Sequence, residues 1–120
     1  MFIKEQNENI SEDELALCFN ETINDLKLVG IDSSYYLNIG NNINVDIATS
    51  VYDFYETVVE AAFDSLESLL IRVHRNKQMI TASIDVICHM DLEALSDSRT
   101  NVSFDKDENV YTLTRTEYLG

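Results

Sequence analysis

One hundred and twenty residues make one ordinary domain, long enough to close a hydrophobic core. Hydrophobic residues form 45% of the chain, which argues against wholesale disorder, and twenty-two acids against eight bases leave a formal net charge of -14. A field of that sign repels phosphate backbones and anionic lipid, which sets aside nucleic acid and membrane surfaces as expected partners. The same charge keeps a protein soluble and by itself requires no partner.

Two cysteines, Cys18 and Cys88, fall on an apolar helix face and at the end of an apolar strand. Both read as small core residues of a reducing compartment, not as a disulfide framework. Met1-Phe2-Ile3-Lys4 is followed at once by polar and acidic residues, which is not a signal peptide, and no run approaches the ~20 apolar residues of a membrane span. The expected location is therefore cytoplasmic, and the sequons at Asn9, Asn20 and Asn101 are incidental.

Residues 1–10 are expected to form a frayed segment and residues 11–120 one domain, because no Pro, repeat or low-complexity linker divides the chain. Ser11-Glu12-Asp13-Glu14 is a capping box, with Ile10 and Leu15 where a hydrophobic staple would stand. Leu15, Cys18, Phe19, Thr22, Ile23 and Leu26 then share one helix face, and Gly30 can end the helix in a left-handed conformation. This predicts a helix over 12–28. Residues 33–39 read as a strand with Tyr35, Leu37 and Ile39 on one side, followed by a turn at Gly40-Asn41-Asn42. From about Asn44 to Leu66, Ile47, Val51, Phe54, Tyr55, Val58, Ala61 and Ala62 recur at helical spacing. Alternating runs near 68–75 and 79–87 around Asn76-Lys77 predict a β-hairpin, and Asp91 to Ser96 one or two helical turns. A second hairpin is expected from 101–104 and 110–116, around a polar turn from Asp105 to Asn109. Helices that bury one face need a sheet to bury it against. The expected class is α+β, a two-layer α/β sandwich with both helices on one face of a mixed, mostly antiparallel sheet.

Candidate sites are thin. The turn from Asp105 starts like an EF-hand loop, but Val110 stands where Gly is required and Thr116 where a bidentate Glu is required. Cys88-His89-Met90-Asp91 gathers possible ligands, yet strand neighbours point to opposite faces and no second Cys/His pair completes a zinc site. No metal ligands are assigned. His74, beside Arg72, is expected on the outward side of its strand. With Gly only at 30, 40 and 120, no glycine-rich loop can cradle a phosphate, and no nucleophile elbow is present, so no catalytic residue is assigned. Glu56 and Glu60, spaced i, i+4 on one helix face, could hold a cation or form an exposed acidic stripe.

The run Val51-Tyr52-Asp53-Phe54-Tyr55-Glu56-Thr57-Val58-Val59-Glu60-Ala61-Ala62, followed by Leu69-Leu70-Ile71-Arg72-Val73, resembles the helix and next strand of the ATP-binding domain of sensor histidine kinases. That fold is shared with gyrase, Hsp90 and MutL. Leu26-Lys27-Leu28-Val29-Gly30-Ile31 is similar to the family's approach to that helix, and Asn109-Val110-Tyr111-Thr112-Leu113-Thr114 to its last strand. The resemblance spans roughly residues 12–116 and implies the histidine-kinase ATPase-like sandwich. It also implies departures. With Glu56 at the family's Glu position, Glu60 stands at the position of an Asn that serves Mg²⁺. Where the family carries Asp-x-Gly-x-Gly, this sequence has Cys88-His89-Met90-Asp91-Leu92-Glu93-Ala94-Leu95 without one glycine, and the family's glycine-containing lid is missing too.

Three readings stay open. The first is a non-catalytic signal-transduction module, a pseudokinase that binds no cofactor and acts through a protein partner or the rest of a sensor kinase, at the cytoplasmic end of a membrane sensor or free. The second is a divergent kinase domain that binds Mg-ATP with Glu56 and Glu60. The third is an unrelated acidic adaptor.

Overall fold

A computed structural model of the chain describes residues 9–40, 42–89, 91–95, 102–108 and 110–118. Residues 1–8, with most of the expected frayed segment, and Asn41, Met90, Ser96, Asn101 and Asn109 lie outside them.

The chain begins its described course with a short strand, β1 (Asn9–Ile10), and helix α1 (Glu12–Leu28). The capping box forms at Ser11: its hydroxyl accepts the Glu14 amide at 3.2 Å, and the Ser11 amide donates to the Glu14 carboxylate at 3.3 Å. Leu15, Phe19, Ile23 and Leu26 are the buried stripe of α1, whereas Cys18 and Thr22 are only half-buried at its margin. Burial still pushes the Cys18 thiol upward, away from the reactive thiolate. Gly30, at φ 86°, takes the left-handed conformation beyond the helix end.

Strands β2 (Asp32–Asn38) and β3 (Ile43–Asn44) lead into helix α2 (Val45–Ala62). Asn44 caps α2 by accepting the Asp46 amide at 2.7 Å. The helix is shorter than the sequence periodicity suggests, because Phe63–Ser65 tighten into a 3₁₀ turn and Leu66 is already extended. Strands β4 (Ser68–Asn76) and β5 (Met79–Ile87) form the expected hairpin. Of the helical turns expected over Asp91 to Ser96, a 3₁₀ turn at Glu93–Leu95 is described.

The second hairpin corrects the sequence reading. Strands β6 (Val102–Asp107) and β7 (Val110–Tyr118) run well into the segment expected to be a polar turn, and Asp105, Lys106 and Asp107 pair with Thr112, Tyr111 and Val110. Those residues are polar because β6 is a sheet edge, not because the chain turns there; Lys106 lies over the Tyr111 ring at 5.1 Å. Residues paired in a strand do not form an EF-hand loop. A second correction lies at the N-terminus. Asn9 and Ile10, placed by composition in a frayed segment, pair antiparallel with Asn44 and Ile43, and Ile10 is buried.

The main sheet has the order β2-β4-β5-β7-β6, with β2 and β4 parallel and every other pair antiparallel. Helix α2 connects the parallel pair. One row of the helix-covered face runs Tyr35, Ile71, Ile84, Leu113, Phe104 across all five strands. The opposite face is largely polar: Asp85 accepts from Arg72 and from Thr112, both at 2.9 Å, and Ser83 bonds Thr114. His74 is exposed on that face, as its position beside Arg72 predicts.

Phe19 ties the helical layer together. Its ring meets Tyr55 edge-on at 5.0 Å, Tyr52 at 5.5 Å and Tyr35 at 6.2 Å, joining α1, α2 and β2. Tyr52 donates to the Cys18 carbonyl at 3.4 Å, which leaves Thr22 as donor to the Tyr52 hydroxyl at 2.5 Å. Tyr55 is fully buried and its hydroxyl has no hydrogen-bond partner among the described residues. Burial pushes its pKa far above the ordinary value of 10.0.

Two outcomes follow. Phe19→Ala opens a cavity where three elements meet and is expected to cost about 3–5 kcal/mol in chemical denaturation; a loss below about 1 kcal/mol refutes this packing. Tyr55→Phe removes an unpaired buried hydroxyl and is expected to leave stability unchanged or raise it by about 1 kcal/mol. Because the folded state holds the Tyr55 proton to higher pH than the unfolded chain, wild-type stability should fall as pH rises above 10. That fall should be shallower in Tyr55→Phe, and an equal slope would show that Tyr55 ionises as it does when unfolded.

Candidate functional site

The outward stripe of α2 is polar where its inward stripe is apolar, and the two meet at a cavity of about 460 Å³. Asp46 and Asp53, one helical heptad apart, place carboxylates along it. Thr49, Ser50 and Thr57 add hydroxyls between and beside them. Phe54 and Val58 from α2, Leu95 at the end of the 3₁₀ turn, and Val102 at the start of β6 supply the apolar surface. Thr49 and Thr57 donate back to the carbonyls of Val45 and Asp53, both at 2.8 Å, which fixes their rotamers against the helix.

Among the described residues, Arg115 is the cation lining the cavity. It stands on the helix-covered face of β7, paired across to Val102 and Ala82, where Tyr111 and Leu113 lead the same alternation. Its Nε donates to Glu117 Oε1 at 2.7 Å, and Ser50 Oγ donates to that same oxygen at 2.6 Å. The side chains of Arg115 and Glu117 are about one-fifth exposed, so solvent screens the pair only in part. Glu117 thereby fastens β7 to α2 and pairs with the cationic side chain that lines the cavity among the described residues.

Glu56 and Glu60 do not line this cavity. Glu56 is half-buried on the side of α2 facing α1, where it adds negative charge beside Tyr52 and reinforces the upward shift that burial imposes on that phenol. Glu60 continues the stripe of Asp46 and Asp53, exposed as they are, but is not among the residues lining the cavity. The i, i+4 spacing put the two carboxylates on neighbouring turns, but not in one concave site. Asp46, Ser50, Asp53 and Thr57 were findable as a polar stripe at spacings of three and four. Arg115 and Glu117 were findable as charges at positions where the alternation of β7 expects apolar residues. Among the described residues no group of three or more His, Cys, Asp or Glu could hold a metal ion. Cys88 is buried, and His89 pairs with exposed Glu67 at 3.1 Å while its amide donates to Ser65.

No protein-family model and no curated protein matches the chain. Solved structures do. Histidine kinase AdeS of Acinetobacter baumannii superposes with a TM-score of 0.68 at 7% identity, covering 94% of this chain and 67% of that one. The nucleotide-free catalytic domain of histidine kinase ThkA gives 0.64 at 13% identity, covering 92% and 95% respectively. ThkA in complex with response regulator protein TrrA gives 0.55 at 10%, this chain spanning 41% of its length. No described helix is long and apolar enough to cross a membrane. The five-stranded mixed sheet with its two helices is the fold of the histidine-kinase catalytic domain.

Proposed function

We propose that the chain is a non-catalytic signalling module, a histidine-kinase scaffold that has lost nucleotide binding and works through protein contacts. The observation that carries this reading is the lining of the cavity beside α2. Among the described residues it presents two carboxylates, Asp46 and Asp53, and a cation, Arg115, that is already held by Glu117. A nucleotide brings a polyphosphate, and carboxylates at that wall oppose it in the absence of a bound cation. Glycine-permitted backbone is lacking as well, since no Gly occurs between Gly40 and Gly120. The net charge of -14 adds long-range repulsion.

The divergent-kinase reading relied on Glu56 and Glu60 as metal-holding groups, and neither lines the cavity. The reading of a chance resemblance loses its basis in a fold shared with AdeS and ThkA. ThkA in complex with a response regulator is a precedent for a protein partner, and we assign this chain a partner of that general kind in a cytoplasmic signalling assembly.

Titration calorimetry and thermal melts with millimolar Mg-ATP are expected to show no saturable heat and no shift beyond ionic-strength controls. A ligand at ten times its dissociation constant would stabilise the fold by about 1.4 kcal/mol, which a melt resolves. Saturable Mg-ATP binding would overturn the non-catalytic reading.

A further inference from the structure

We infer that two copies of the chain pair antiparallel through the free edge of β2, forming a twofold dimer with one continuous sheet. The inference is independent of the nucleotide question and names a surface and its occupant. The main sheet ends in two edge strands, and the sequence treats them differently. Strand β6 carries Asp105, Lys106 and Asp107, the kind of charge that keeps other strands from adding to an edge. Residues 33–38 of β2 carry none, although 25% of the chain is charged, and Tyr36 stands 57% exposed among them. In a ladder, alternate residues direct their backbone groups to opposite sides of the strand. The Asp32 amide donates to the Glu67 carbonyl beside β4, so Ser34, Tyr36 and Asn38 also turn to β4. Ser33, Tyr35 and Leu37 turn outward, as does the Ile39 amide beyond them. Ser33 is buried and the Ile39 amide donates to Glu12 at 2.7 Å, so the groups left free among the described residues are those of Tyr35 and Leu37.

A second copy meets that pattern in one register. With the twofold axis at Tyr36, Tyr35 of each copy faces Leu37 of the other in hydrogen-bonded pairs, and every free group finds a partner. Ser33 then falls opposite Ile39, two positions already unavailable, so the ladder stops where the free backbone stops. Tyr36 meets its own counterpart in the intervening non-hydrogen-bonded pair, with Cβ atoms about 4.5–5.5 Å apart, and the exposed ring is covered. Ser34 faces Asn38, so no like charges are opposed. A net charge of -14 on each copy resists association at long range, and the surface beside the edge is correspondingly quiet. Helix α1 lies over β2, where Ser33 donates to the Ile23 carbonyl at 3.3 Å, and Thr22 turns toward Tyr52 of α2. At about 100° per residue, Ala16, Asn20 and Lys27 fall on the flank of α1 away from α2, above the edge, with Asp13 the nearest acid of the helix. Glu14, Glu21 and Asp25 fall on the other side. A pairing this short belongs with small interfaces, below about 1,200 Å², so the dimer is expected to be reversible and concentration-dependent.

The test uses the full chain in sedimentation velocity over a wide concentration range, near physiological salt, where the Debye length of about 8 Å screens the mutual repulsion. A monomer–dimer equilibrium is expected. Tyr36→Glu sets like charges opposite one another across the axis and should weaken the dimer at least about tenfold. Tyr118→Glu makes the same change at another exposed tyrosine and should alter it less than about twofold. Tyr36→Phe should retain the dimer. Cross-linking reads the register: in a Cys18→Ser background, Tyr36→Cys should give a disulfide-linked dimer on oxidation with diamide, because its Cβ atoms lie within disulfide reach. Ser34→Cys alone should not, whereas a mixture of Ser34→Cys and Asn38→Cys chains should link to each other. Hydrogen exchange on the wild type needs no variant, and protection of the Tyr35 and Leu37 amides should rise with protein concentration. A monomer at every concentration, equal weakening by Tyr36→Glu and Tyr118→Glu, or linking of Ser34→Cys as fast as Tyr36→Cys would each overturn the inference. So would protection of Tyr35 and Leu37 that is independent of concentration, which would mean that the edge is paired within its own chain.

Discussion

The ring of Phe19 sits where α1, α2 and β2 meet, and most of the architecture depends on that meeting. Its contacts with Tyr35, Tyr52 and Tyr55 hold two helices at a fixed depth over the parallel edge of the sheet. The bonds from Thr22 through Tyr52 to the Cys18 carbonyl lock the same helices at their polar margin. With one face of α2 committed in this way, its opposite stripe must look outward over β7 and the start of β6, where the cavity lies. The aromatic cluster thus determines which residues of α2 line the cavity. Its one imperfection is the unpaired hydroxyl of Tyr55.

Electrostatics gives that outward stripe its character. Asp46 lies in the first turn of α2, where a carboxylate also complements the helix dipole, so its charge agrees with the local fold as well as with the cavity. Arg115 and Glu117 occupy the row that elsewhere holds Tyr111 and Leu113, and they satisfy one another and Ser50 at modest exposure. Such a pair costs desolvation that an apolar pair would not. Its presence at the junction of β7 and α2 marks a surface where polar geometry has been kept in place of a simple hydrophobic seam.

Much of the fold was legible in the chain because its determinants are local. Ser11 and Glu14 announce α1, and the spacing of Phe54, Val58 and Ala62 announces α2. The strict alternation through β4 and β5 announces a hairpin, which closes through Lys77 at φ 56°. What escaped was non-local. Two-residue strands such as β1 and β3 carry no periodicity, and only their pairing reveals that Ile10 and Ile43 share the core. The polar run Asp105–Asp107 has turn composition but edge-strand geometry, and composition alone does not distinguish the two. At the site, Glu56 and Glu60 drew notice through their spacing and the family resemblance. The cavity instead takes Asp46 and Asp53, because Glu56 lies beside Tyr52 and Glu60 falls beyond Val58, where the lining on α2 ends. The stripe of α2 was written in the sequence; the strand end that closes the site over it was not.

The single parallel pair in the sheet also has a kinetic meaning. Strands β4 and β5 meet across a two-residue turn, and β6 and β7 across a similarly short one, so their contacts close with little loss of chain entropy. Strand β2 can reach β4 only after residues 39–67 have looped back, carrying α2 with them. Contacts of such sequence separation form late, and the sheet is expected to grow from its hairpins toward β2. The edge that assembles last is held by one neighbouring strand and by the helices above it. It is the natural first unit to open, and its opening would release Phe19 from Tyr35 while leaving the four antiparallel strands joined. The domain would then have an antiparallel half that holds together and a half whose order is set by how well α1 and α2 stay packed.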